Sequence, residues 1–139
     1  MTDANRRRNV QVELDEAERC RRAAEALAGL GLHKDALNRL YYSAYHLCQA
    51  VLLTEGLEPR THRGMLSLLG AEFVRSGRLP AGIQHEVARL ETYREYADYD
   101  RDFVATEDLV RAEREAADRV REAVLRFLAS AGYGGAPAA

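Results

Sequence analysis

Residues 36–46 read ALNRLYYSAYH and lie within a stretch of helical periodicity that has few charges. The pattern predicts a helix from about Leu32 to Thr54, ended by Gly56 and by Pro59 beyond it. One side of this helix is apolar throughout and carries Leu37, Leu40, Ala44, Cys48 and Val51. Because the helix is apolar nearly all round, it should be surrounded by protein on most sides.

The opposite side of this helix carries Arg39 and His46, and His46, Ser43 and Ala50 all fall within about 40° of Arg39. A helix with two buried sides usually packs the core of its own chain with only one of them. We therefore expect a homodimer that forms across the Arg39/His46 side. His46 itself is either a buried histidine with a satisfied hydrogen bond or an acid–base group.

Four further helices are predicted from apolar residues at helical spacing. They run from Val10 to Gly29, from a cap at Thr61 to Gly77, from Pro80 to about Ala97, and from a cap at Thr106 through Leu128. Short connections favour antiparallel neighbours. The predicted fold class is therefore all-α, an antiparallel up-and-down bundle of about five helices.

The chain has 139 residues, of which 47% are hydrophobic, and this allows a single domain with a substantial core. We expect that domain over residues 9–131, with a basic N-terminal tail at 1–8 and a flexible C-terminal tail at 132–139. The arginine run at 6–8 is either a solvated tail or a patch that attracts phosphate. Because 20 basic residues face 22 acidic ones, the whole chain has no global attraction for nucleic acid.

Several classes of site are disfavoured by the pattern. Cys20 and Cys48 lie in helical segments without metal-type spacing, so they read as packed thiols. No Glu-x-x-His motif occurs and no two histidines lie one turn apart, so we expect no metal and no cofactor. No apolar run approaches about 18 residues, and no apolar signal core follows the N-terminal charges. We therefore expect a cytoplasmic protein that does not enter a membrane.

Arg94 lies on the apolar face of the fourth predicted helix, in line with Ile83, Val87 and Leu90. A buried guanidinium without a partner is costly, so Arg94 needs either a carboxylate or a ligand. Asp98 follows one helical turn later. One interpretation is an internal Arg94–Asp98 salt bridge that holds the fourth helix to the second. In the other, Arg94 contacts a phosphate, with Asp98 orienting it and Tyr99 adding a hydroxyl or a stacking ring.

Aromatic and basic residues elsewhere are candidates for the same site. Tyr41, Tyr42 and Tyr45 could stack on nucleobases, but consecutive residues diverge around a helix, so they favour packing in three directions. His62 and Arg63 begin the third predicted helix, where they could help to bind an anion or could simply be exposed residues near the cap.

Four segments occur in an order and spacing that resemble the HEPN-domain family, of the small stand-alone prokaryotic type. They are residues 36–46, 61–64 (THRG), 77–80 (GRLP) and 94–100 (REYADYD), and the resemblance covers the chain from Val10 to about Leu128. It implies a helical bundle that dimerises, binds RNA or nucleotides, and works beside a nucleotidyltransferase in a toxin–antitoxin-type pair. The candidate residues for RNA or nucleotide binding are Arg39, Tyr42, Arg94, Asp98, His62 and Arg63.

Active members of this family share a sequence signature, in which an arginine is followed, after four to six residues, by a histidine. These members are metal-independent ribonucleases. Here Arg94 takes the place of the arginine, yet no histidine follows before Thr106. An endoribonuclease toxin would then have to use Arg94 with His46 or Tyr99. The remaining alternative is a structural interaction module without catalysis.

Overall fold

The computed structural model describes residues 2–133 and confirms the all-α fold class. Within that range there is no strand. The helices are α1 (Asp3–Gly29), α2 (His33–Leu53), α3 (His62–Leu68), α4 (Ile83–Tyr99) and α5 (Glu107–Ser130), and a π-helical segment, Leu69–Val74, continues α3.

Helix α2 is the centre of the bundle. It packs against α1, α4 and α5, and also contacts α3. Its buried residues therefore point to every side, as the near-absence of charge in its sequence predicts. The neighbouring helices each bury one stripe: α1 buries Val10, Leu14, Ala17, Cys20 and Ala24, while α5 buries Val110, Ala116, Ala117, Val120, Val124, Phe127 and Leu128.

The N-terminus differs from the prediction of a basic tail over residues 1–8. Helix α1 begins at Asp3, because the Thr2 hydroxyl caps it by accepting a hydrogen bond from the Asn5 amide at 3.1 Å. The arginine run is therefore helical. Arg7 donates to the carbonyl of Gly132 at 2.8 Å, so it satisfies a group just after the C-terminal end of α5. The C-terminal tail was predicted from residue 132, and its residues 134–139 lie outside the described residues.

The turn between α1 and α2 is short and makes the two helices antiparallel neighbours. Gly31 has φ of 76°, a left-handed conformation that a residue with a Cβ adopts only with strain. This conformation lets the Leu32 amide reach back to the Leu27 carbonyl at 2.9 Å. The tight reversal then lays the full length of α1 along α2.

The region between α2 and α4 is less regular than the single third helix that the sequence predicts. Thr61 caps α3 as expected, but the backbone changes to a π-helix at Leu69. Gln84 donates to the Leu66 carbonyl at 3.0 Å and passes so close to Gly70 that a Cβ there would clash with it. Helix α4 begins at Ile83 rather than at Pro80, because residues 80–82 form a turn.

Helix α4 is joined to α5 by an ion pair between the exposed Arg89 and the buried Glu113. Glu113 is almost completely buried, and Arg89 donates to it from Nη2 at 2.9 Å and from Nε at 3.1 Å. The hydrogen bond to Glu113 raises the pKa of Arg89, and burial opposes this rise only in part. Arg94 lies five residues after Arg89, about 140° further round α4, and it contacts Tyr41 and Tyr42 of α2.

Candidate functional site

The three tyrosines of α2 share one side of the helix together with His62 from the start of α3. The ring centroids of Tyr41 and Tyr42 are 5.0 Å apart, and Tyr45 lies 5.9 Å from Tyr42. His62 is stacked on Tyr41 at 5.4 Å and lies 5.1 Å from Tyr45. The prediction that the tyrosines point in three directions was therefore wrong, because α3 folds back and gathers them around one imidazole. We call these four residues the aromatic cluster.

Arg94 enters the aromatic cluster from α4 and is 7% exposed, which confirms its predicted burial. Its guanidinium carbon lies 5.3 Å from the Tyr41 ring centroid and 5.7 Å from that of Tyr42. Such distances are typical of cation–π contacts, which partly compensate the loss of hydration. The Nε atom is nevertheless buried without a hydrogen-bond partner. Burying a donor in this way is costly unless a ligand or water completes it.

Asp98 is the nearest carboxylate to Arg94, with 3.6 Å between Oδ2 and Nη1, and Glu95 is 4.0 Å away. Both contacts are longer than a good charge-assisted hydrogen bond, which is about 2.7–2.9 Å. Asp98 is held more closely by Asn38 of α2, whose amide donates to both carboxylate oxygens at 3.0 and 3.3 Å. The connection between α4 and α2 that was predicted for the Arg94–Asp98 pair is thus made by Asn38.

The charge of Arg94 is stabilised by its surroundings despite its burial. Burial alone lowers the pKa of Arg94, but the nearby Tyr42, Asp98 and Tyr41, together with a hydrogen bond to Tyr99, raise it more, so the pKa lies above its ordinary value. The guanidinium is therefore a permanent cation with part of its hydrogen-bonding capacity unused. That combination suits an anionic ligand with several acceptor oxygens, such as a phosphate.

His62 is connected to two residues besides its ring neighbours. Its Nδ1 lies 2.7 Å from the Tyr41 hydroxyl and 3.7 Å from a carboxylate oxygen of Glu91. Tyr41 has no exposed surface, and burial together with Glu91 raises the pKa of its phenol. The phenol consequently stays protonated, and it is available as a donor to the imidazole.

Arg39 and His46 lie on the side of α2 that faces α1. His46 Nδ1 is 2.7 Å from a carboxylate oxygen of Glu13, and Arg39 Nη1 is 3.6 Å from the sulfur of Cys20. We had assigned this side to a second subunit. That assignment was wrong, because α1 of the same chain packs there. Arg39 also lies 5.2 Å from the Tyr42 ring, which links it to the aromatic cluster.

The remaining candidates, Arg63 and Tyr99, lie at the surface. Arg63 follows His62 in α3 and is exposed. Tyr99 is the last residue of α4 and is 77% exposed, with its ring centroid 6.0 Å from the guanidinium carbon of Arg94. Tyr99 is therefore placed at the solvent side of Arg94, where a ligand would approach.

Several residues of these contacts were absent from the predicted set, among them Asn38, Tyr41, Tyr45, Glu91 and Glu13. Glu91 could have been found, because it lies three residues before Arg94 and so falls near it on the helical wheel. The partners of Asn38 and Glu13 lie on other helices, and no local pattern in the sequence identifies them. Tyr41 and Tyr45 were considered for stacking on nucleobases, but packing was the favoured interpretation.

A sequence model of the family described as HEPN domain matches residues 10–128. The chain belongs to the HEPN family. The predicted resemblance is thereby confirmed over nearly the range that it was expected to cover. In this HEPN domain the matched region contains all five helices in part or whole, and it includes the aromatic cluster and Arg94.

Curated relatives of this HEPN domain come from archaea and bacteria. The chain is 30% identical over 125 residues, 88% of its length and 93% of the relative's, to a protein of Methanocaldococcus jannaschii named "Putative toxin MJ0605". It is 30% identical over 94 residues to "Putative toxin MJ0142" of the same organism, covering 68% of this chain and 64% of that relative. It is also 34% identical over 86 residues, 62% of this chain and 68% of the relative, to a UPF0332 protein of Gloeobacter violaceus.

Two further observations concern other kinds of site in this HEPN domain. Among residues 2–133, no group of three or more histidine, cysteine, aspartate or glutamate side chains is arranged to hold a metal ion. In the same part of the chain, no helix has the length and apolar character needed to cross a bilayer.

Proposed function

We propose that this HEPN protein binds RNA or a nucleotide, with the guanidinium of Arg94 contacting a phosphate at the edge of the aromatic cluster. The observation that carries the proposal is the state of Arg94. It is a permanent cation, nine-tenths buried, whose Nε has no partner and whose closest carboxylate is 3.6 Å away. A phosphate at the part of the guanidinium that stays exposed would supply closer acceptor oxygens than Asp98 does.

The surroundings of Arg94 support a nucleotide rather than a simple anion. Tyr99 offers an exposed ring next to the guanidinium, and Tyr42 is half-buried beside both Arg94 and Arg39. Aromatic rings of this kind stack on nucleobases in a way that tolerates any base. Asp98 orients the guanidinium and is itself held by Asn38. His62 and the exposed Arg63 extend the polar surface from α3.

The test is retention of a single-stranded RNA oligonucleotide by the purified protein over a range of salt concentrations. Arg94→Met removes the charge while keeping the volume, and we expect RNA affinity to fall by about 10- to 100-fold, as for loss of a charged hydrogen bond. If one phosphate contact is lost, the dependence of log affinity on log salt also becomes less steep by about 0.7.

The matched control for this test is Arg101→Met, because Arg101 is exposed in the turn after α4 and the variant has the same net charge. RNA affinity should then stay within about twofold, since only a general electrostatic contribution is removed. Equal losses in both variants would contradict a specific phosphate contact at Arg94.

An endoribonuclease remains the second candidate, and the position of Tyr99 favours it. Its hydroxyl-bearing ring is exposed and lies 6.0 Å from the guanidinium carbon of Arg94, so a bound phosphodiester could touch both. His46, the other residue considered for this role, is hydrogen-bonded to Glu13 of α1. RNA cleavage in the presence of a chelator, abolished by Arg94→Ala, would establish the enzyme. Intact RNA under all conditions would leave binding alone.

We further propose that the protein is dimeric and forms one half of a toxin–antitoxin-type pair with a nucleotidyltransferase. The family membership and the relatives named as toxins support this proposal. Co-expression with the product of the neighbouring open reading frame, followed by size-exclusion chromatography with light scattering, tests both parts. If the protein is instead a structural interaction module, the unmodified protein should form these assemblies and show no RNA binding.

A further inference from the structure

The hydroxyl of Tyr41 has one hydrogen-bond partner among residues 2–133, the Nδ1 atom of His62 at 2.7 Å. The tyrosine is completely buried, so no solvent can replace that partner. Glu91 is close enough to influence the phenol electrostatically, yet it forms no hydrogen bond with it. The hydroxyl proton of Tyr41 therefore has one available acceptor, Nδ1 of His62.

This geometry determines which nitrogen of neutral His62 carries the proton. If Nδ1 were protonated, it would donate to the phenol oxygen, and the buried hydroxyl proton would be left without an acceptor, which is costly. If Nδ1 is bare, it accepts the hydroxyl proton, and both groups are satisfied. The imidazole then carries its own hydrogen on Nε2, the nitrogen that Tyr41 does not contact.

We propose that Tyr41 is a positioning residue that holds neutral His62 in the Nε2–H form, so that His62 donates a hydrogen bond to a phosphate oxygen of the ligand that Arg94 binds. Arg94 and His62 both contact the ring of Tyr41. The guanidinium carbon of Arg94 lies 5.3 Å from the centroid of Tyr41, and the His62 ring is stacked on the same tyrosine at 5.4 Å. Because Arg94 and His62 contact the same tyrosine, a single oligonucleotide can reach both the cation and the neutral donor. The ligand in this proposal rests on the proposed function.

The Nε2–H form makes His62 unsuitable as a general base. A histidine that acts as a general base toward a ribose hydroxyl needs a bare nitrogen facing the substrate. In the Nε2–H form the bare nitrogen faces Tyr41 instead. His62 therefore contributes to binding, and it does not accept the hydroxyl proton while Tyr41 holds it in this form.

His46 provides an internal reference with the opposite arrangement. Its Nδ1 lies 2.7 Å from Glu13, and an ionised carboxylate can only accept a hydrogen bond. Neutral His46 must therefore carry its proton on Nδ1. One molecule thus contains two histidines for which the structure assigns opposite tautomers, and a single spectrum can compare them.

The first experiment is a long-range ¹H–¹⁵N correlation spectrum of the imidazole rings of the full chain, at about pH 8.5, where an ordinary imidazole is neutral. The signals of His62 and His46 are assigned by comparison with His62→Gln and His46→Gln. We expect the ¹⁵N shifts of His62 to show the Nε2–H form and those of His46 the Nδ1–H form. In Tyr41→Phe, His62 should move toward the Nδ1–H form, because Glu91 is then its only nearby acceptor. An Nδ1–H form of His62 in the unmodified protein overturns the proposal, whatever happens in the variant.

The second experiment tests the phosphate contact with the RNA oligonucleotide used above. Glutamine can place an amide N–H near the position of Nε2, so His62→Gln should keep RNA affinity within about threefold, while His62→Ala should lose about tenfold or more, as for a hydrogen bond to a charged group. Equal losses in the two variants would overturn the contact. Absence of RNA binding by the unmodified protein would refute the proposed function, whereas the tautomer of His62 is measured without any ligand.

Discussion

The two sides of α2 have similar residues around them, but their charged groups find hydrogen-bond partners within the chain to different degrees. On the side that faces α1, His46 lies 2.7 Å from its own carboxylate, Glu13. On the side that faces α3 and α4, Arg94 has no carboxylate of its own at such a short distance. Its nearest carboxylate is 3.6 Å away, and its Nε has no hydrogen-bond partner. Both sides carry an aromatic contact to a basic residue, so aromaticity does not distinguish them. The distinguishing property is whether the charge is satisfied within the chain.

This difference indicates which side is structural and which is left for a ligand. A satisfied pair contributes to the stability of the fold and gains nothing from an added anion. An incompletely satisfied buried cation lowers the stability of the free protein and is stabilised when an anion binds. The comparison therefore predicts that substitutions on the two sides have opposite effects on stability and on binding.

The largest effect on stability is expected for Tyr41→Ala. The side chain is fully buried at the junction of the aromatic cluster, and its loss leaves a large cavity, so the free energy of unfolding should fall by about 3–5 kcal/mol. Urea denaturation followed by circular dichroism measures the change. Tyr99→Ala is the matched control and should stay within about 0.5 kcal/mol, because Tyr99 is exposed. Similar losses in both variants would mean that the cluster is less tightly packed than described.

The sequence predicted the position of Arg94 but not the arrangement of the aromatic cluster around it. Arg94 was correctly placed inside the protein, because it continues the helical stripe of Ile83, Val87 and Leu90. The gathering of three tyrosines around His62 was missed, since it depends on where α3 folds back. That path includes a π-helical segment and a close approach of Gln84 to Gly70, and neither follows from local periodicity.

The N-terminus shows that the positions of charged residues are also hard to predict from local periodicity. The arginine run was interpreted as a tail because it has no apolar stripe, yet Thr2 caps the helix before it and Arg7 reaches the Gly132 carbonyl of the distant C-terminal region. The periodicity of apolar residues shows which side of a helix is buried. A helical turn that is stabilised by a cap and by long-range hydrogen bonds need not show this periodicity. Contacts between residues far apart in sequence, such as Asn38 with Asp98, lie beyond it for the same reason.

A smaller effect on stability is expected when the completed pair is broken. Glu13→Ala leaves the Nδ1–H of half-buried His46 without its acceptor, so the free energy of unfolding should fall by about 1 kcal/mol, less than for a fully buried pair. RNA retention should not change. Glu16→Ala on the same helix is the control, since its contact with Arg19 is largely exposed and its loss should cost less than about 0.5 kcal/mol. A marked loss of RNA binding in Glu13→Ala would contradict the assignment of this side to structure.

Asn38 connects the two sides, and its effect should be smaller again. Its carbonyl oxygen accepts a hydrogen bond from Arg39 Nε at 2.9 Å, while its amide donates to Asp98. A double-mutant cycle with Asn38→Ala and Asp98→Ala should give a coupling of about 0.5–1 kcal/mol in the free energy of unfolding. Asn38→Ala with Glu16→Ala provides the reference, because Glu16 and Asn38 share no contact and their effects should add. A coupling near zero in the first cycle would show that Asp98 is held by other groups.

The smallest effect on stability is expected at Arg94, even though its effect on binding is among the largest proposed. Arg94→Met removes an incompletely satisfied charge and keeps an apolar side chain against Tyr41 and Tyr42, so the free energy of unfolding should change by less than about 1 kcal/mol and could increase. Asp98 remains held by Asn38 and is partly exposed, which limits the penalty of leaving its charge without Arg94. Arg89→Met is the informative contrast, because it leaves the buried carboxylate of Glu113 unpaired and should lower stability by about 3–5 kcal/mol. If both arginines proved equally important for folding, Arg94 would be a structural residue of the same kind as Arg89, and its unpartnered Nε would lose its meaning as a mark of the binding site.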